Sequence, residues 1–219
     1  MEHSTLQKYP RTPHLPWSPG FTVDDEVCSD VSHFSNREIV VTEKMDGENT
    51  SFYRNHLHAR SLDSGHHPSR TWVKQLHAQI SQDIPEGWRV CGENLYAKHS
   101  LAYDNLPSFF MVFSIWNDRN EALPWSDTEE WSQLLGLVTV PVLYRGPWEE
   151  SIVRASYNPK EHFYNREGYV VRVADSFAYK DFAKSVGKYV RKNHVQSSEH
   201  WMHMQVVPNG LAPSKEECK

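Results

Sequence analysis

Cysteine is scarce in this chain, and that removes two ways of building a fold. Cys28, Cys91 and Cys218 are an odd set with no paired spacing. They read as free thiols in a reducing, intracellular (cytoplasmic) compartment, and not as a disulfide frame or a zinc site. Long apolar runs are missing too. The longest, Phe109 to Phe113, is far short of the roughly 20 residues a membrane span needs. Met1-Glu2-His3-Ser4 begins with no basic stretch followed by an apolar run, so neither a targeting segment nor a membrane partner is expected. Basic excess is absent as well. A net charge of -5 is the wrong sign for gripping nucleic acid over the whole surface. Any polyanion site must be local.

What the chain does have is aromatic bulk. Apolar residues are only 38%, but 8 Trp, 10 Tyr and 9 Phe supply large buried area per residue and argue against disorder. A length of 219 residues suits one domain, with or without a small appendage. Nothing in the sequence specifies an oligomeric state. Thirteen histidines include His66-His67 and His56-x-His58. These could hold a metal, but no further ligand follows at helix spacing, so a polar surface is the preferred reading. Between Lys180 and Lys192 lie Lys180, Lys184, Lys188, Arg191 and Lys192 with one acid, Asp181. That run is either a solvated face or a local polyanion site.

Three zones follow. Residues 1–37 carry Pro10, Pro13, Pro16 and Pro19 at every third position, which forbids helix and favours extended backbone. Leu15 and Trp17 suggest that this segment lies across a domain; a rigid linker or a ligand for a proline-binding module is the alternative. Residues 38–192 mix strands and helices. Glu38–Glu43 and Thr50–Arg54 read as strands separated by a turn at Asp46-Gly47, and Trp72, Leu76 and Ile80 fall on one helix face. Trp88–Cys91 and Phe109–Trp116 read as strands. Ser126-Asp-Thr-Glu129 is a capping-box pattern opening a helix with Trp131, Leu134 and Leu135 inward. Val138–Tyr144 and Tyr169–Val173 are further strands. The spacing is irregular, so the class is α+β and not a doubly wound sheet. Residues 193–219 read as a peripheral tail.

The most informative segment is Thr42-Glu43-Lys44-Met45-Asp46-Gly47-Glu48-Asn49. A lysine ends an apolar strand just before an acidic-Gly turn, a place that holds a side chain at a cleft mouth. As a nucleophile it must be neutral. At an ordinary pKa near 10.4 only about one lysine in 2,500 is neutral at pH 7, a deficit of roughly 4.6 kcal/mol. Burial and neighbouring cations can remove part of it. Alone, the pattern is weak evidence, and a surface lysine in a hairpin turn is the more frequent reading.

Lys44-x-Asp46-Gly47 resembles motif I of the covalent nucleotidyltransferases, the superfamily of ATP-dependent ligases and mRNA capping enzymes, and further motifs follow in order. Arg60-Ser61 resembles the arginine motif that touches ribose or phosphate. Cys91-Gly92-Glu93-Asn94-Leu95 resembles the motif whose glutamate binds the ribose hydroxyls. Phe109–Trp116 resembles the one whose aromatic, here Phe113, stacks on the purine. Glu167-Gly168-Tyr169-Val170-Val171-Arg172 resembles motif IV, with Glu167 near a divalent metal and Val170 against the base opposite Phe113. Lys188-Tyr-Val-Arg191 is nearest to motif V, which supplies lysines to the α-phosphate; the usual Lys-x-Lys is absent, and Lys184 and Arg191 are further candidates.

The resemblance implies a nucleotidyltransferase fold (an ATP-grasp-like adenylation domain, antiparallel sheets flanked by helices) over residues 38–192. Glu43 and Asn49, with Asn49 five positions past the lysine, most resemble the phage-type RNA ligase branch. The implied activity is ATP-dependent joining of RNA ends through lysyl-AMP on Lys44 and an adenylated RNA. Glu167 and Lys188 would be catalytic, Mg²⁺ or Mn²⁺ the cofactor, and ATP and RNA ends the partners. Only 27 residues follow Lys192, so no OB-fold domain is expected there. A DNA ligase, a guanylyltransferase, or a non-catalytic module that binds adenylate or RNA ends are the alternatives.

Overall fold

The β-branched run Glu38–Lys44 forms strand β1, whose residues alternate between the two faces of a sheet. The computed structural model in which it is seen describes residues 6–192 and 205–213. Elements follow in the order β2 (Glu48–Phe52), β3 (Leu57–Ala59), α1 (Thr71–Ile80), β4 (Arg89–Asn94), β5 (Phe110–Trp116), β6 (Glu121–Ala122), α2 (Trp125–Leu134) and β7 (Val138–Thr139). Then come β8 (Val142–Pro147), α3 (Glu150–Ala155), α4 (Pro159–His162), β9 (Gly168–Val173), β10 (Phe177–Ala178) and β11 (Val186–Val190).

The strands form two sheets. One has the order β11-β9-β1-β8; the other runs β10-β6-β5-β4-β2-β3, with β7 paired in parallel to β5. The mixture of helices and mainly antiparallel strands is the α+β class expected.

Two places where the sequence pattern predicts continuity turn out to be crossings between the sheets. Val138–Tyr144 is not one strand. Pro141 has no N–H to give to a ladder, so the run divides into β7 in one sheet and β8 in the other. Likewise β1 and β2 do not pair across Asp46-Gly47, so Lys44 is not in a hairpin. β2 also starts earlier than predicted, at Glu48. Because the chain steps between sheets at both points, a cleft opens between them.

Two smaller expectations are corrected. α2 begins at Trp125 with Pro124 as its N-cap, and no side chain caps it. Ser126 Oγ bonds the neighbouring Asp127 instead, so the capping box is not formed. The buried face of α2 is Trp125, Thr128 and Ser132, continued by Leu135, and Leu134 is exposed. β5, by contrast, is buried on both faces as its unbroken apolar run implies.

The proline-rich segment covers the edge of β11. Lys188 N donates to Pro13 O at 2.9 Å and Leu15 N donates to Lys188 O at 2.8 Å. Leu15 is fully buried, and Trp17 Nε1 donates to Tyr169 Oη at 2.8 Å. An edge strand is thereby paired and not left open. Residues 205–213 lie against the 95–106 loop, with Asn209 buried. The predicted peripheral tail is therefore packed where it is described, because Asn209 finds backbone partners there. Residues 1–5, 193–204 and 214–219, Cys218 among them, lie outside the described residues. No helix among the described residues is long and apolar enough to cross a membrane.

Candidate active site

Strand register explains how residues distant in sequence reach one cleft. Thr42 pairs with Val170, and Val170 pairs with Lys188. Paired residues share a face, so these three form a row across β1, β9 and β11. Lys44, two residues on from Thr42, lies on the same face and pairs with Gly168. A side chain at Gly168 would collide with the Tyr189 carbonyl oxygen, so glycine is required by space alone. In the other sheet Asn49 pairs with Glu93, and a register shift at Cys91/Gly92 falls beside the β5 segment that carries Phe113. Thr42, Lys44, Asn49, Glu93, Phe113, Val170 and Lys188 line one cavity of about 1430 Å³ between the sheets.

Lys44 Nζ donates to Glu167 Oε1 at 2.6 Å. The lysine side chain is 22% exposed and the glutamate 1%. Burial pulls the pKa of Lys44 down, but Glu167 and Glu93 more than offset it, and the net direction is up. This corrects the expectation of an amine kept neutral by neighbouring cations. The groups that face it most strongly are carboxylates. Lys188 is on the same face, yet its own ion pair is with Asp25, at 3.6 Å. Burial, and then Lys44, push the pKa of Lys188 down.

Glu93 Oε1 accepts from Gly47 N at 3.1 Å, and burial pushes its carboxyl up to about 8. Glu43 pairs with Arg166 Nε at 3.4 Å. Asn49 lines the cavity with its Oδ1 buried and without a hydrogen-bond partner among the described residues. Phe113 is partly buried and meets Tyr9 edge-on at 5.0 Å, while Val170 lines the opposing sheet. Arg60 is exposed at the rim of the cavity. Lys184 and Arg191 do not line the cavity. Lys184 is exposed on the 3-10 turn Tyr179–Lys184, and Arg191 sits over the Phe163 ring at 4.9 Å.

Several cleft residues were invisible to motif reading. Asp25 bridges Lys188 and the buried His14, whose Nε2 is 3.7 Å away. Tyr9 and Arg11 come from the proline-rich segment, and Gln205–Val207 from the tail. Only the proline spacing, which keeps its segment extended, hinted at any of these.

Among the described residues no group of three or more His, Cys, Asp or Glu could hold a metal ion. Glu167, however, is a buried carboxylate facing the cleft. Magnesium is commonly held by one or two carboxylates together with substrate phosphates, and not by a protein cage. The donor set fits that mode. His58 Nδ1 meets the Ala59 carbonyl and His67 Nδ1 meets Ser69 Oγ.

A family model described as RNA ligase matches residues 37–190. The chain belongs to the RNA ligase family. Among solved structures, an archaeal ATP-dependent RNA ligase superposes with TM-score 0.58 at 18% identity, covering 85% of this chain and 48% of that one. A Naegleria gruberi RNA ligase variant with AMP and Mn gives 0.54 at 15% identity, covering 85% and 56%. Another, with ATP and Mn, gives 0.52 at 16%, covering 74% and 52%. Likeness at these identities is one of fold, and it is the nucleotidyltransferase fold implied by the motifs. The chain spans about half the length of these structures. A search of curated proteins finds no match. For a member of the RNA ligase family, a lysine and a buried glutamate in hydrogen-bond contact inside an inter-sheet cleft are the natural place to look for chemistry.

Proposed function

We propose that this chain is an ATP-dependent RNA ligase of the phage-type branch, with residues 38–192 as its adenylation domain and the proline-rich segment packed on it, its residues between 9 and 26 forming part of the cleft wall. It takes AMP onto Lys44, passes it to an RNA 5′-phosphate, and seals that end to a 3′-hydroxyl. The observation that carries this reading is the Lys44–Glu167 contact of 2.6 Å inside the large cleft.

The residues divide the work by position. Lys44 Nζ attacks the α-phosphorus of ATP; the bond to pyrophosphate breaks and the lysine nitrogen keeps AMP. The amine must first lose its proton, and Glu167 Oε1 is the acceptor within reach. Lys188, on the same face, neutralises charge on the α-phosphate. Phe113 and Val170 face the two sides of the base, Glu93 holds the ribose, and Asn49, Glu43 and Arg60 contact the nucleotide. Lys184 and Arg191 are assigned no contact with it. Mg²⁺ or Mn²⁺, held through Glu167, would neutralise phosphate oxygens during the in-line displacements. Precise placement and charge neutralisation supply most of the catalysis in such transfers.

The test offers 5′-phosphorylated RNA and DNA ends with labelled ATP or GTP. Joining of RNA ends with ATP supports the reading. A covalent label from GTP alone points to a guanylyltransferase, preference for DNA ends to a DNA ligase, and nucleotide binding with no adduct to a non-catalytic module.

A further inference from the structure

The turn that follows Lys44 has little of its own to hold it. Met45–Gly47 lies between β1 and β2, which belong to different sheets, so no strand ladder runs through it. Apart from Gly47 N, which donates to Glu93 Oε1 at 3.1 Å, its anchors come from the 95–106 loop. Asp46 N donates to Tyr103 Oη at 3.0 Å, and Asp46 Oδ2 accepts from Leu101 N at 2.7 Å and from Ser100 Oγ at 2.8 Å. Both the backbone and the carboxylate of Asp46 are thus tied to residues 100–103.

That loop is in turn held by the C-terminal segment. Asn209 Oδ1 accepts from Tyr103 N at 2.9 Å, and Asn209 Nδ2 donates to Leu95 O at 2.8 Å. Its backbone N donates to Tyr96 O at 2.9 Å, and Gly210 N donates to Tyr103 O at 2.7 Å. The Asn209 side chain therefore clamps both ends of the loop, and it is only 8% exposed. A buried amide with donor and acceptor both used is a rigid fixture. Space is limited here also: a side chain on Gly210 would meet Asp104 O at 2.9 Å.

We propose that Asn209 is a positioning residue for Lys44, acting through Tyr103 and Asp46. The inference rests on the functional reading above and adds to it a role for a segment outside the motifs. A nucleophile displaced by about 1 Å can lose on the order of a hundredfold in rate. The fixture is two hydrogen-bonded links from the turn, so removing it loosens the turn and leaves the base and ribose contacts in place.

The experiment measures single-turnover AMP transfer to Lys44, at varied ATP, in the full chain and in Asn209→Ala, Asn209→Asp, Tyr103→Phe and the double variant Asn209→Ala/Tyr103→Phe. Thermal melts confirm that each is folded at the assay temperature. Asn209→Ala and Tyr103→Phe are each expected to slow transfer at saturating ATP by about tenfold or more, with KM for ATP changed by less than about twofold. The double variant should be no slower than the slower single, because both act along one path. Asn209→Asp keeps the acceptor for Tyr103 N but loses the donor to Leu95 O, so it should recover the rate only in part. Unchanged transfer in folded Asn209→Ala, losses that multiply, or a loss seen wholly in KM would overturn the proposal. Failure of the wild-type chain to take AMP defeats the functional reading and this role together; transfer in wild type matched by Asn209→Ala defeats this role alone.

Discussion

Asp25 Oδ1 lies 3.6 Å from Lys188 Nζ and 3.7 Å from His14 Nε2, so one carboxylate of the proline-rich segment bridges a cleft lysine and a buried imidazole. Thr22 fixes that carboxylate through its backbone N and its hydroxyl, both at 2.9 Å to Oδ2. If Lys188 receives the α-phosphate, Asp25 competes with it. Asp25→Asn should then tighten ATP binding by up to about fivefold, the scale of one partly screened ion pair. Apparent KM in the adenylation assay measures this, and weaker binding in the variant would assign Asp25 a supporting role instead.

His14 also sets a pH dependence. Burial, and then Lys188, push its imidazole from the ordinary value down to about 4. A histidine whose folded pKa is depressed contributes stability fully above about 6.5, and that stability is lost as pH falls toward about 4. Glu93, raised by burial to about 8, acts with the opposite sign, its contribution fading as pH rises from about 4.5 to 8. The difference between wild type and His14→Gln therefore isolates the imidazole. Melting temperatures of the two should diverge in their pH trend between pH 6.5 and 4, with the variant losing less. Parallel curves would contradict the assignment.

Phe113→Ala should weaken ATP use by about 1–3 kcal/mol, the scale of one base–aromatic stack. The ring is partly buried and braced edge-on by Tyr9, so its remaining face is available to a base. Steady-state kinetics would show a raised KM; an unchanged KM with a lowered melting temperature would make Phe113 a packing residue only.

The sequence made the residues that meet in the cleft visible and the architecture around them only in part. Lys44, Glu93, Phe113, Glu167 and Lys188 were legible because each stands in a short local pattern, and β1, β5 and β9 because their apolar runs match strand periodicity. The separation of β1 from β2 was not legible, since Asp46-Gly47 is equally good turn chemistry for a hairpin. Pro141 was the one local sign that Val138–Tyr144 breaks. Asp25, Tyr9 and Asn209 stand in no chemical motif, because each acts through a long-range contact: with Lys188, with the Phe113 ring and with the 95–106 loop. The electrostatics of Lys44 were misjudged for the same reason. Charge counted along the chain found the lysines after 180, while the carboxylates nearest the amine come from β4, β9 and their flanks.

Gly168→Ala provides a purely steric test of the ladder that aligns Lys44 with β9. The added methyl would collide with the Tyr189 carbonyl, and backbone gives way less readily than a side chain. A loss of about 1–3 kcal/mol is expected from overpacking, read as a lower urea midpoint, together with reduced adenylation. A variant of wild-type stability would mean that β9 and β11 shift easily.

The most direct measurement is the intact mass of the chain after incubation with ATP and Mg²⁺. The wild-type protein should gain one AMP, the adduct should be lost in mild acid as a phosphoramidate is, and Lys44→Ala should gain nothing while melting as a folded protein. An AMP adduct of the same kind on Lys44→Ala would contradict the account at its centre.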